Sequence, residues 1–289
     1  MADPTAAPIL FDHALLVKRQ LRALGLGPAT FLLERVLDDM EERLGAVKRD
    51  FADIGDIWTP TEALQLRLYW RLQRPVRRIQ QAPDEVVSFP PESLDLAVSA
   101  LAFQFANDLP GVLTQIRRAL RPDGLLLAAL IGGDTLTELR QSFAAAEAEC
   151  EGGVSPHVAP FADLRDIGGL LQRAGLALPV TDVDRVVVRY DSALALMLDL
   201  RRMGATNVLT ERRKSPTRRT TMMRMAEIYA ERFADPDGRI RATFDVVWLS
   251  AWAPHASQPK PLRPGSATAR LEEAVKKISP FPGGPSGGG

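Results

Sequence analysis

Cysteine is almost missing from this chain. Cys150 is the only one among 289 residues, which excludes a disulfide framework and any site built on several thiolates, and fits a reducing compartment. Histidine is nearly as scarce. His13, His157 and His255 lie far apart, and none stands at a His-x-x-His or histidine-carboxylate spacing, so no metal site is expected. Net charge is missing as well: 36 Lys and Arg face 36 Asp and Glu, so no global field draws the chain to nucleic acid or anionic lipid. No apolar run approaches the roughly eighteen residues of a membrane span. The first ten residues have neither the charged-then-apolar layout of a signal peptide nor the Arg-rich amphipathic layout of a transit peptide, and a cytoplasmic location is the expectation.

What is present is an alternation of helices and apolar strands. Residues 11–24 and 28–44 read as helices, the second with Leu33, Val36, Leu37, Met40 and Leu44 on one face. Pro28 suits its first turn. Residues 50–55 look like a short strand ending in Gly55, and residues 94–100 like a second strand buried on both faces. A helix over 109–120, a turn at Arg121-Pro122-Asp123-Gly124 and a strand over 125–131 complete the strand-helix-strand rhythm of a parallel sheet. After Gly132-Gly133-Asp134-Thr135 a helix runs to about Cys150. A loop over 152–160 follows, then a helix that ends at Gly175, a natural C-cap. Residues 183–190 and 243–252 read as strands, with a helical insert between them that is placed to cover the sheet's ligand edge. The expected organisation is N-terminal helices over 1–49, a main domain over 50–279 with the insert at 191–234, and a disordered Pro- and Gly-rich tail over 280–289.

Several segments together resemble one family: the methyltransferase-like complex I assembly factors of the arginine hydroxylase type, with biotin-pathway methyltransferases as further relatives. The resemblance rests on Asn107-Asp108-Leu109-Pro110, Leu120-Arg121-Pro122-Asp123-Gly124, Gly132-Gly133-Asp134-Thr135-Leu136, Gly152-Gly153-Val154-Ser155-Pro156-His157, Pro160-Phe161, Leu171-Gln172-Arg173-Ala174-Gly175 and Gly265-Ser266-Ala267. The Arg-Pro-Asp-Gly turn is general to class I methyltransferases. The Gly-Gly-Asp-Thr-Leu and Ser-Pro-His segments are particular to this family. The resemblance implies a Rossmann-like α/β fold, a mostly parallel sheet with a terminal antiparallel strand, S-adenosylmethionine (SAM) as cofactor, and a complex I subunit or other protein as substrate.

The cofactor loop departs from that pattern. Such enzymes follow the first strand with a Gly-x-Gly-x-Gly loop, because side chains there block the approach of the backbone to the cofactor. Here Asp53-Ile54-Gly55-Asp56-Ile57-Trp58-Thr59 keeps one glycine, and Ile57 and Thr59 stand where the others belong. Residues 64–74, read as the second strand, offer no carboxylate for ribose hydroxyls, and Gln104-Phe105 replaces the family's His-Trp pair. The stretch from Asp53 to Asp95 is also short, as if the second strand-helix unit were reduced.

The candidate cofactor residues are Asp53, Gly55, Asp84 and Ala100, with Asp84 the acid placed to accept an adenine amino group. Asp134 and His157 are the catalytic candidates: Asp134 ends a loop at the carboxyl edge of the sheet and is placed to cap the next helix, and His157 sits in a loop where a base can act. Trp58, Tyr69 and Trp70 read as core aromatics, and Arg212 to Arg219 as a solvated basic face. Three functions fit: an arginine hydroxylase-type assembly factor, an ordinary SAM-dependent methyltransferase, and a non-catalytic interaction module.

Overall fold

The computed structural model describes residues 9–161 and 164–259. Residues up to Pro254 cluster into one compact unit, and the short stretch from His255 onward belongs to another. The expected tail over 280–289 and the Gly265-Ser266-Ala267 segment lie outside the described residues.

One six-stranded sheet organises the main unit, in the order β2-β1-β3-β4-β6-β5. Its strands are β1 (Ile54–Ile57), β2 (Val76–Ile79), β3 (Leu94–Ala100), β4 (Leu120–Gly132), β5 (Ala177–Tyr190) and β6 (Ile240–Trp252). The first four pair in parallel. β6 runs antiparallel to both β4 and β5, so the reversed strand, last in sequence, is inserted between its neighbours rather than added at an edge. The fold is a Rossmann-like α/β arrangement of the class I methyltransferase kind. β3 and the second half of β4 are buried almost throughout, as parallel strands covered on both faces must be.

Two apolar layers cover the sheet. One packs α2 (Phe31–Ala46), α3 (Ala63–Leu72), α5 (Thr137–Glu151), α7 (Ala193–Arg202) and α8 (Arg219–Phe233) onto one face through Leu37, Met40, Leu68, Phe143, Leu196 and Tyr229. The other packs α4 (Leu109–Ala119) and α6 (Leu164–Arg173) onto the opposite face through Leu113, Ile116, Ile167 and Leu171. α2 buries Leu33, Val36, Leu37, Met40 and Leu44, the stripe expected from sequence. Each such side chain contributes about 1.5–3 kcal/mol on burial.

Several local expectations are corrected. The first strand begins at Ile54 rather than residue 50, because the amides of Ala52 and Asp53 are tied to the Asp95 carboxylate at 3.1 and 2.9 Å and are unavailable to a neighbouring strand. Residues 64–74 are not a strand. They form α3, whose Leu64 and Leu68 stand one helical turn apart and are both buried, and the second strand is the short β2 that follows. Tyr69 and Trp70 are exposed at 44% and 70%, while Trp58 is core. The Arg121–Gly124 turn is an excursion within β4, between its pairings at Leu120 and Leu125. α2 starts at Phe31, so Pro28 lies ahead of its first turn. The insert contains α7 and α8 with non-helical chain between them. Gly175, at φ +79°, does end its helix as expected.

Candidate functional site

At the carboxyl ends of the parallel strands lies a cleft of 740 Å³, the position where open α/β sheets bind ligands. Its floor is made by chain leaving each strand: Trp58 and Thr59 after β1, Gln80 and Gln81 after β2, Gln104 and Phe105 after β3, and Thr135 and Leu136 after β4. Its walls are α1 (His13–Gly25) and α7, which present Val17, Leu21, Leu24, Leu194 and Leu198. Through α7 the stretch between β5 and β6 borders the cleft.

The turn after β1 is filled by side chains. β1 continues through Ile57, which is wholly buried, and the positive φ falls on Trp58, at 66°. Sequence spacing had assigned that demand to Ile57 and Thr59. The Trp58 ring stands edge-on to Phe103 with centroids 6.0 Å apart, and its amide donates to the Ile79 carbonyl at 2.9 Å. Thr59 is buried and its Oγ1 accepts the Ala100 amide at 3.1 Å. A side chain in the left-handed region costs on the order of 1 kcal/mol, offset here by burial of the indole. Beneath this turn Asp56 is fully buried, with Arg78 Nε 3.7 Å away. Burial pushes its pKa up to about 6, against the pull of Thr59 and Arg78.

The expected cofactor residues scatter. Asp53 precedes β1 and so lies at the amino end of the sheet, away from the cleft, where it accepts from Arg121 at 2.7 Å. Gly55 is mid-strand: a Cβ there would stand 2.8 Å from Leu94 and 3.0 Å from Phe89, so its smallness serves packing. Asp84 is exposed and accepts the Val86 amide at 3.3 Å. Ala100 is fully buried and does not line the cleft either, but its amide donates to Thr59, which does.

The acid that matters structurally is the next residue. Glu85 is buried and accepts the amides of Asn107 and Asp108 at 2.6 and 2.8 Å and meets His13 Nε2 at 3.2 Å. His13 also reaches the Phe105 carbonyl at 2.9 Å. Its hydrogen bond to Glu85 raises its pKa, more than burial lowers it. Burial works to raise that of Glu85, but His13 and the two amides bring it below the usual range. This pair pins α1 over the cleft. The one signal of this contact in the sequence is the Asp84-Glu85 pair.

Asp134 does not cap α5, whose N-cap is Leu136 with no side-chain cap bond. Its carboxylate is 68% exposed and pairs with Arg185 at 2.8 Å, outside the residues that line the cleft. The loop it belongs to is held by a residue that sequence did not single out. Buried Asp245 on β6 accepts the Asp134 amide at 2.9 Å and Arg185 Nε at 2.7 Å, and its own amide donates to Thr135 Oγ1 at 2.9 Å. His157 does line the cleft. It stacks on Phe143 with centroids 3.8 Å apart, and its Nε2 lies 2.8 Å from Glu147 and 3.3 Å from Ser155 Oγ. The Ser155 hydroxyl and amide also bond Glu147, at 2.7 and 2.6 Å. Glu147 and Ser155 meet the same ring nitrogen, so the cluster orients the imidazole and does not form a nucleophile-base relay.

Among the described residues lining the cleft there is no aspartate or glutamate. A SAM molecule in the pose the resemblance implies would need a carboxylate for its ribose hydroxyls and open backbone at the β1 turn. These residues supply neither, so the donor set does not fit that pose. No cluster of three potential metal ligands occurs among the described residues, and no described helix is long and apolar enough to cross a membrane.

Comparison with known proteins finds methyltransferase-related sequences. Residues 60–128 match a family model described as "Methyltransferase domain", which supports SAM binding in general terms. The match begins just after the β1 turn. The "Arginine-hydroxylase NDUFAF5, mitochondrial" of Danio rerio is 41% identical over 195 residues, which is 68% of this chain and 60% of that protein. The "Malonyl-[acyl-carrier protein] O-methyltransferase" of Laribacter hongkongensis is 42% identical over 173 residues, 60% of this chain and 56% of its own length. The YcgJ protein of Bacillus subtilis, 13% identical, aligns with 77% of this chain and 99% of its own at a TM-score of 0.48. The chain thus spans less than two thirds of these curated relatives. Its fold is of the class I methyltransferase kind, and in sequence it is similar to the arginine-hydroxylase type.

Proposed function

We propose that this chain is a methyltransferase-fold factor of respiratory complex I assembly, acting on a protein partner as the arginine-hydroxylase resemblance implies. The observation that carries this reading is convergence. Thr135 and Leu136, His157, and Phe161 come from separate segments that resemble the family, and all line one cleft. Segments kept only for packing would have no reason to meet at the ligand edge. A guanidinium entering there would find neutral acceptors in Gln80 and Gln81 rather than a carboxylate. A cytoplasmic location is part of the proposal.

The test is mass spectrometry of complex I subunits from cells with and without the gene. An arginine that gains one oxygen atom, or a methyl group, only when the protein is present supports the reading. Unchanged arginines together with normal complex I assembly refute it.

A second reading is favoured by the filled β1 turn: an interaction module that keeps the fold without the usual cofactor pose. It expects a complex I assembly defect in cells lacking the gene with no arginine modification on any subunit.

A further inference from the structure

Beside the cleft lies a second cavity of 310 Å³, and the two share His157 and Asn207 at their boundary. Four cations line the smaller one: Arg19 from α1, and Arg212, Arg213 and Lys214 from the basic segment that sequence alone presents as a solvated face. Ser215 and Thr217 add hydroxyls, and no aspartate or glutamate lines it among the described residues.

The balance of charge there is uneven. Arg213 is paired with Glu151 at 2.5 Å, and Arg212 lies 3.5 Å from Asp12. Arg19 has the Thr206 hydroxyl at 2.5 Å as its bonded partner and no carboxylate within ion-pair distance, and Lys214 has none either, among the described residues. Burial and the nearby charges of Arg22 and Arg212 lower the pKa of Arg19, as expected where positive charge is in excess.

The neighbouring cleft is apolar along its open side. Leu21, Leu24, Leu194 and Leu198 are 62%, 59%, 57% and 53% exposed, and all four line it. Large apolar side chains gathered in one groove and left facing water mark a binding surface. An apolar groove that opens beside a basic pocket, with no acid on either, is complementary to one kind of ligand.

We propose that the two cavities together bind a single-chain anionic amphiphile, its alkyl chain between α1 and α7 and its phosphate head among Arg19, Arg212 and Lys214. This goes beyond the assembly role and does not rest on it, since equilibrium binding and complex I mass spectrometry can fail separately.

The experiment is calorimetric titration of the purified full chain with monomeric alkyl phosphates from hexyl to decyl. Binding should tighten by roughly fourfold for each added methylene and weaken as salt is raised. Replacing both Arg19 and Lys214 by Gln should loosen decyl phosphate by about tenfold, since charge-assisted contacts to the head are lost. Leu198→Glu, a change at an exposed position that places negative charge in the groove, should weaken binding by at least as much. Circular dichroism confirms that each variant is folded. The proposal is overturned if affinity ignores chain length, if inorganic phosphate or dodecyltrimethylammonium binds as well as decyl phosphate, if phosphatidic acid vesicles bind while the monomer does not, or if folded variants bind like the parent.

Discussion

The pair that pins α1 over the cleft sets a stability with a defined pH signature. His13 and Glu85 side chains are only 7% and 9% exposed, so their attraction is weakly screened, and removing one partner strands the other. Glu85→Gln keeps an oxygen for the Asn107 or Asp108 amide but loses the charge that faces His13. The expected cost is about 2 kcal/mol, between that of a single hydrogen bond to a charged group and that of a fully broken buried pair. The sign of its pH dependence follows from the two shifts. His13 is raised above its ordinary 6.5, so its share of the stability is complete below that value and fades as pH climbs through the folded pKa. Glu85 is lowered below its ordinary 4.5, so its share is complete above that value and fades as pH falls through the folded pKa. The pair is therefore strongest between 4.5 and 6.5. Urea unfolding of the parent and Glu85→Gln at about pH 5.5 and about pH 9 reads this directly. The cost of the substitution should be larger at the lower pH. A cost that is the same at both, or under about 0.5 kcal/mol at the lower, would refute the assignment of a charged buried pair.

Other outcomes follow from the same geometry. Gly55→Ala should destabilise by about 1–3 kcal/mol in urea unfolding, because the new methyl crowds Leu94 and Phe89. Ile57→Gly, a substitution that would seem to restore a cofactor loop, should cost about 3 kcal/mol and open nothing, since Ile57 is a buried strand residue. Asp245→Asn should lower stability by about 1–2 kcal/mol, Arg185 being half exposed, and should speed amide exchange at Asp134, whose N–H it holds. Asp134→Ala should change stability by less than about 0.5 kcal/mol and leave ligand binding in the cleft unaltered, because its carboxylate points to solvent and Arg185.

Where the sequence was legible, one physical signal was uncontested. The apolar runs at Leu94 and Leu125, and the stripe on α2 from Leu33 to Leu44, have a single way to be buried, and the structure uses it. The region from residue 50 to 80 misled because its signals compete. Leu64 to Leu72 alternates as a strand would, yet its leucines also suit a helix face, and β2 has only four residues with two arginines among them. The site was less legible than the fold for a different reason. Asp53, Gly55 and Asp84 rest on position along a motif, and β1 starts only at Ile54 and runs two residues past Gly55, which leaves Asp53 at the far end of the sheet. His13 with Glu85, Asp245 with Arg185, and Arg19 with Arg212 each join residues distant in sequence, and no local pattern announces such pairs. The basic run at 212–219 was visible, but only the fold brings Arg19 and Asn207 beside it to make a pocket.

The cleft stands at the carboxyl edge of the sheet, its β1 turn is closed by Trp58 and Thr59, and among the described residues its lining has no carboxylate. The measurement that tests this most directly is calorimetric titration of the purified chain with SAM and S-adenosylhomocysteine, alongside a Trp58→Gly, Thr59→Gly variant. Neither compound should bind more tightly than roughly millimolar, with any gain confined to the variant. Stoichiometric binding to the parent at micromolar affinity would contradict it, and would mean that the filled turn holds the cofactor by contacts other than those the fold ordinarily uses.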